Sequence, residues 1–81
     1  MGRSPTAKPA KLAKKLLAVR TGLDLSQAEM AARLSKRLSR EDVSKYERGV
    51  RVPTLLTLLK YARAAKVSMD VLVDDDLSLE G

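Results

Sequence analysis

The chain has 81 residues and a formal net charge of +6, and it contains neither cysteine nor histidine. These absences exclude disulfides, thiolate chemistry and the commonest metal ligands, so we expect no enzyme, no metal and no cofactor. Neither a leader-like segment nor an apolar run of membrane length occurs, which predicts a cytoplasmic protein that does not bind membranes.

The charge is unevenly distributed along the chain. Residues 1–20 hold six basic side chains and no acidic one, whereas residues 52–81 hold three bases against five acids. A basic front half with an acidic tail favours a polyanion partner on one face, although many small proteins are basic without binding one.

The amino-terminal segment divides into an arm and a helix. Residues 1–9 are predicted to be a flexible basic arm, because a glycine and two prolines interrupt any apolar period. From Ala10 onward apolar residues recur at three- and four-residue steps, which predicts an amphipathic helix to about Thr21 that stops at Gly22.

Two helix starts of the same type follow. Ser26 and Glu29 have the spacing of a capping box, and Ser39 and Asp42 repeat it. In each case an apolar pair at staple spacing flanks the cap. The first start predicts a helix over about residues 27–36.

The second start predicts a short helix over residues 40–48 that ends at Gly49. Val43, Tyr46 and the partly buried Glu47 are expected to point inward, and the opposite face holds Arg40, Glu41, Ser44, Lys45 and Arg48. Such a polar segment is either a solvated surface helix with a small apolar anchor, or a helix whose outer face contacts a partner.

Two further helices are predicted before the end of the chain. A fourth helix begins at Pro53 or Thr54, and a fifth, shorter one begins at Ser68. The expected buried stripe of the fourth helix comprises Leu55, Leu58, Leu59, Ala62 and Ala65, widened by Leu56. About five short helices make an all-α domain over residues 10–73, followed by an acidic tail at 74–81.

The text LSQAEMAARLS, followed by LSREDVSKYERGVRVPTLLTLLKYARAAKVSMDVL, runs from Leu25 to Leu72. Its order and spacing resemble the phage-repressor/Cro-like (Xre-type) helix-turn-helix regulators. The resemblance implies a lambda-repressor-like bundle whose recognition helix, about residues 40–48, lies in the major groove of double-stranded DNA.

The resemblance also implies roles for single residues. Arg40, Glu41 and Lys45 occupy positions that face base edges, with Ser44 at the margin. Glu41 either accepts a hydrogen bond from cytosine or pairs with Lys45 on the helix surface. Gln27 matches a glutamine that binds a DNA phosphate beside a helix N-terminus.

Other charged residues have structural or phosphate-binding interpretations. Arg20 and Glu47 match a pair that is often a buried ion pair between the first and third helices. Arg48 and Arg51 either bind phosphates or oppose the negative end of the third helix. Asp42 is expected to serve as the capping-box acid.

The chain departs from the family pattern in two places. About two extra residues lie between Leu34 and Leu38, so either the second helix is longer or the loop bulges toward the DNA backbone. In the second case Lys36 and Arg37 would be exposed and would contact phosphates. Asp24 stands where a glycine is common, which predicts a differently shaped first loop.

The expected function is therefore sequence-specific DNA binding by a homodimer that regulates transcription as a repressor. The predicted dimer surface comprises Met69, Val71, Leu72, Val73, Leu77 and Leu79. The alternative is an antitoxin or small adaptor that binds a protein partner and regulates its own operon.

Tyr46 and Tyr61 are expected in the core, which disfavours stacking on RNA bases. The basic arm either adds contacts to DNA or is an idle leader.

Overall fold

The computed structural model describes residues 11–77 and Leu79. Within this part of the chain it contains five α-helices and no strand. The helices are α1 (Leu12–Gly22), α2 (Gln27–Leu34), α3 (Arg40–Glu47), α4 (Leu55–Ala65) and α5 (Met69–Val73). The predicted all-α fold of about five short helices is confirmed. The predicted arm at residues 1–9 and part of the predicted tail lie outside the described residues.

One apolar core joins all five helices. Its fully buried side chains come from every helix and are Leu16, Met30, Leu34, Val43, Tyr61 and Leu72. Burying each large side chain of this kind contributes about 1.5–3 kcal/mol to folding. The short helices are therefore held by their shared core rather than by their own lengths.

The helix starts follow the local capping chemistry of the sequence. Ser26 Oγ accepts from the Glu29 backbone N–H at 3.1 Å, and Glu29 Oε1 accepts from the Ser26 N–H at 2.8 Å. Thr54 caps α4, since its Oγ1 accepts from the Thr57 backbone N–H at 3.2 Å. The backbone hydrogen bond from Ser26 is the main reason that the pKa of Glu29 lies below its usual value.

The ends of α1 and α2 differ from the sequence prediction. Gly22 remains within α1, and the left-handed residue that follows is Asp24, with φ 60°. A short polar side chain such as aspartate tolerates this conformation better than most residues. α2 ends at Leu34, two residues early, because the Ser35 backbone is extended.

The extra length between α2 and α3 lies in the connecting loop rather than in a longer helix. Lys36 and Arg37 are both exposed on this loop. The Arg37 backbone N–H donates to Ser35 Oγ at 3.1 Å, which helps to shape the turn. Of the two alternatives, the structure shows the loop.

α3 packs on the core through its inner face. Val43 and Tyr46 are buried, and the Tyr46 ring packs edge-on against Tyr61 with 6.5 Å between the ring centroids. Such aromatic pairs are stabilising beyond the area that they bury. The inner face thus holds α3 in place and leaves the opposite face of the helix open to solvent.

The first turn of α4 was predicted incorrectly. Leu55 and Leu56 are 70% and 66% exposed, although the sequence pattern placed them on the buried stripe. The buried residues of α4 are instead Leu58, Tyr61 and Ala62, which lie further along the helix. The apolar pattern of the sequence therefore begins one turn before the part of α4 that the other described helices cover.

α5 is hydrogen-bonded to the first half of α1. Lys15 is only 7% exposed, and its Nζ donates to the carbonyls of Val71 and Asp74, both at 2.7 Å. The Lys11 backbone N–H donates to Asp75 Oδ1 at 3.1 Å. The two Lys15 hydrogen bonds satisfy carbonyl groups at the end of α5 that have no partner within the helix.

The predicted dimer surface needs one correction. Leu72 is completely buried in the core of the chain, so it cannot contribute to a contact between two copies. Leu77 is exposed, and the remaining members, Met69, Val71, Val73 and Leu79, are partly exposed.

None of the helices in the described part of the chain has the length and apolar character that crossing a membrane requires.

Candidate nucleic-acid interface

An open groove runs between the first turn of α2 and the outer face of α3. It is lined by Gln27, Arg40, Glu41, Ser44, Lys45 and Arg48. The fold thus brings together the four residues predicted to face base edges and two of those predicted to bind phosphate. Three of the lining side chains are cationic and one is acidic, so the groove favours an anionic ligand.

The cations of this groove are exposed, and one is ordered by a neighbour. Arg40 and Lys45 extend from α3 into solvent. Arg48 Nε donates to Ser44 Oγ at 3.2 Å, which holds its guanidinium along the outer face of the helix. The ion pairs among the described residues do not include one between Glu41 and Lys45. The Glu41 carboxylate is therefore free to accept from a ligand.

The start of α3 is fixed by a capping box and an arginine. Asp42 Oδ2 accepts from the Ser39 backbone N–H at 2.8 Å, and Asp42 Oδ1 accepts from Arg51 Nη1 at 2.9 Å. The Ser39 backbone is the main cause of a lowered Asp42 pKa, and the charge of Arg51 adds to it. The Arg51 guanidinium thus contacts the first turn of α3, while its backbone N–H donates to the Lys45 carbonyl near the end of the helix at 3.3 Å.

An ion pair behind the groove connects three helices. Arg20 Nε and Nη2 donate to the two carboxylate oxygens of Glu47, at 2.6 and 3.1 Å. Arg20 Nη1 also donates to the Leu25 carbonyl at 2.8 Å, just before α2. The hydrogen bond to Glu47 raises the pKa of Arg20. The structure therefore brings this sequence-predicted pair together at the junction of α1, α2 and α3.

Gln27 makes a contact that its sequence pattern does not predict. Its Nε2 donates to Glu47 Oε1 at 3.0 Å, while the same side chain lines the groove. The ion pair and the groove thus share one amide group. The sequence signals for Gln27 and Glu47 are separate, and nothing in their spacing indicates that they meet.

Three predicted phosphate ligands lie away from this groove. Lys36 and Arg37 are exposed on the loop between α2 and α3, and neither lines the groove. Arg51 does not line it either, since its guanidinium is held by Asp42. Any contact of these three residues with a ligand lies outside the groove.

Comparison with known proteins agrees with this geometry. The family model described as helix-turn-helix matches residues 16–72. The chain belongs to this helix-turn-helix family. Among solved structures, the fold is similar to the P22 c2 repressor in complex with synthetic operator 9T in the presence of Tl+. The two chains share 26% identity and a TM-score of 0.71, and the match covers 80% of this chain and 96% of that chain.

The curated proteins contain no match to this helix-turn-helix chain. The family match and the structural match together confirm the resemblance to phage-repressor/Cro-like regulators and the lambda-repressor-like fold. They also confirm its class, a repressor-like DNA-binding transcription regulator.

Proposed function

We propose that this helix-turn-helix protein binds double-stranded DNA sequence-specifically as a homodimer and represses transcription by occupying an operator. One observation carries the proposal. The inner face of α3 is fixed by Val43 and Tyr46, while its outer face presents cations and Glu41 to an open groove. A helix of this kind suits insertion into the major groove.

The side chains on the outer face of α3 are matched to base edges. Arg40 and Lys45 are donors that suit guanine O6 and N7, and Glu41 is an acceptor that suits cytosine N4. A good bidentate pair contributes about 1–3 kcal/mol of discrimination against the wrong base. Ser44 lies between these residues on α3, and its hydroxyl already accepts from Arg48.

A second set of residues is proposed to bind the DNA backbone. Gln27 is the first residue of α2, where unpaired backbone N–H groups and the helix dipole favour a phosphate. Arg48 stands at the end of α3 in the same groove. Lys36 and Arg37 are exposed on the preceding loop and supply further positive charge. Such contacts make binding strongly dependent on salt.

The structural neighbour supports this arrangement. The P22 c2 repressor, whose fold matches most of this chain, is described in complex with a synthetic operator. A single domain of this size offers little contact area, so specific binding usually requires two copies on a two-fold operator. We assign the contact between copies to the exposed side of α5 and the segment after it: Met69, Val71, Val73, Leu77 and Leu79.

The proposal is tested by selecting bound sequences from a random duplex pool and measuring their affinities by fluorescence anisotropy over a salt series. We expect enrichment of a two-fold sequence. We expect the Arg40→Ala/Lys45→Ala variant to bind it at least about 30-fold more weakly, since two base contacts are lost. Binding to unrelated duplexes should weaken less.

The matched control removes the same charge elsewhere. Lys60 and Arg63 are exposed cations of α4 that do not line the groove, so Lys60→Ala/Arg63→Ala should lose no sequence preference. Equal losses in the two double variants would show that α3 does not read bases. A pool without any enriched sequence would refute specific DNA binding altogether.

A further inference from the structure

Glu47 lies behind the groove and accepts a hydrogen bond from Gln27, one of the side chains that line it. The Glu47 side chain is 5% exposed and does not line the groove, yet its Oε1 accepts from Nε2 of Gln27 at 3.0 Å. Gln27 does line the groove. A buried carboxylate and a proposed DNA contact are therefore linked by one hydrogen bond.

This hydrogen bond selects one orientation of the Gln27 amide. A carboxylate accepts hydrogen bonds and donates none, so the amide nitrogen must face Glu47. The flipped amide would set its oxygen against a carboxylate oxygen, and two acceptors with no proton between them repel each other. With the nitrogen toward Glu47, the amide retains a second N–H and its Oε1 for a ligand.

Glu47 is itself held in place. Arg20 donates to both of its carboxylate oxygens, at 2.6 and 3.1 Å. The same guanidinium donates to the carbonyl of Leu25, which directly precedes the cap of α2. Arg20 therefore fixes both the acceptor of the Gln27 amide and the backbone from which Gln27 extends.

We propose that Glu47 is a positioning residue for DNA binding: it orders the Gln27 amide so that its remaining N–H is ready for a DNA phosphate. The inference rests on the proposed function. A phosphate offers acceptors alone, so the N–H is the amide group that it uses. Ordering the side chain before binding removes the entropy that a free glutamine would lose on contact with DNA.

A double-mutant cycle on operator binding tests this coupling. Glu47→Gln keeps the length of the side chain but can present either end of its own amide, so it no longer dictates the orientation of Gln27. We expect Glu47→Gln to weaken operator binding about tenfold when Gln27 is present and less than about twofold in the Gln27→Ala background. Equal losses in both backgrounds would mean that Glu47 acts through the fold alone, and would overturn the inference.

A charge-matched control separates positioning from electrostatics. Glu29→Gln removes the same charge from the first turn of α2, but Glu29 accepts from the Ser26 backbone rather than from Gln27. We expect Glu29→Gln to bind the operator no more weakly than the wild-type protein. Removing an acidic charge by itself favours binding to DNA, so a loss as large as that of Glu47→Gln would assign the effect to a disturbed start of α2 and overturn the inference.

A second measurement, of side-chain amide exchange, uses the wild-type protein and therefore does not depend on whether Glu47→Gln folds. The chain has one glutamine and no asparagine, so a 15N–1H correlation spectrum contains a single side-chain carboxamide pair. In the DNA-free wild-type protein we expect one of its two protons to exchange with solvent more slowly than in the urea-unfolded chain. Gln27→Ala should remove the pair. Exchange as fast as in the unfolded chain would overturn the inference.

The outcomes distinguish this inference from the function on which it rests. A wild-type protein that binds no duplex refutes the proposed function and the positioning role with it. Operator binding accompanied by an additive cycle refutes the positioning role alone. Operator binding, a non-additive cycle and a protected amide proton together support both.

Discussion

At the scale of single residues, Tyr61 combines full burial with an unpaired hydroxyl. Its side chain is completely buried, and among the described residues its hydroxyl oxygen has no hydrogen-bond partner. Burial is the main cause of a strongly raised Tyr61 pKa, and the nearby Glu47 charge adds to it. A buried hydroxyl without a partner costs free energy that a phenylalanine at the same position does not.

We therefore expect Tyr61→Phe to raise the free energy of unfolding by about 1 kcal/mol, because the ring packing is kept and the unpaired group is removed. Urea unfolding followed by circular dichroism measures the change. Tyr46→Phe is the matched control and should give a smaller gain, since Tyr46 has no unpaired buried hydroxyl. A loss of stability in Tyr61→Phe would show that its hydroxyl has a stabilising partner.

The same residue predicts a dependence on alkaline pH. The unfolded chain loses its tyrosine protons near a pH of about 10, whereas folded Tyr61 retains its proton because its pKa is raised. The folded state then binds more protons, so stability falls as the pH rises above that value. We expect Tyr61→Phe to show a shallower fall than the wild-type protein. Parallel curves of unfolding free energy against pH would contradict this assignment.

At the scale of helices, the five-residue α5 depends on a side chain from the other end of the domain. Two carbonyls near its end, those of Val71 and Asp74, accept from the buried Nζ of Lys15. A helix of five residues has almost no stability of its own. Packing of Leu72 and this charged donor therefore decide whether α5 stays in place.

We expect Lys15→Met to keep the apolar stem of the side chain but to lower the free energy of unfolding by about 2–3 kcal/mol, since charged hydrogen bonds are lost. Backbone amides of α5 should also exchange faster with solvent. Lys14→Met is the matched control, because Lys14 is the adjacent lysine and is exposed. Unchanged protection of α5 in Lys15→Met would show that Leu72 alone holds the helix.

The helices also show which local features the sequence predicts well. The capping boxes at Ser26 and Ser39 were predicted because each joins residues three apart in the chain. The end of α2 was not predicted, because the extended backbone at Ser35 depends on how the chain must travel to reach α3. Helix starts are local chemistry, whereas these ends depend on the neighbouring helices.

At the scale of the whole molecule, two apolar surfaces are exposed among the described residues, besides the single side chain of Leu17. One lies after α5 and includes Leu77, which is 41% exposed. The other lies around the start of α4 and comprises Val50, Val52, Leu55 and Leu56. Both surfaces are apolar and open to a partner, and the proposed homodimer uses the first.

We expect Leu77→Glu to weaken the dimer, because it places a charge in the proposed contact, and to weaken operator binding with it. Sedimentation equilibrium over a range of protein concentrations measures the first effect, and anisotropy measures the second. Leu56→Glu is the matched control and should leave both unchanged. The reverse pattern would place the contact between copies at the start of α4.

The sequence by itself determined the number and starts of the helices, the all-α class and the outward face of α3. These follow from capping residues and apolar periods within one or two turns. Only the tertiary structure decided that Leu56 is exposed, that Lys15 is buried and that Gln27 meets Glu47. The physical reason is distance along the chain: Gln27 and Glu47 are 20 positions apart, and Lys15 and Val71 are 56 apart. Such contacts exist only once the core has brought the helices together.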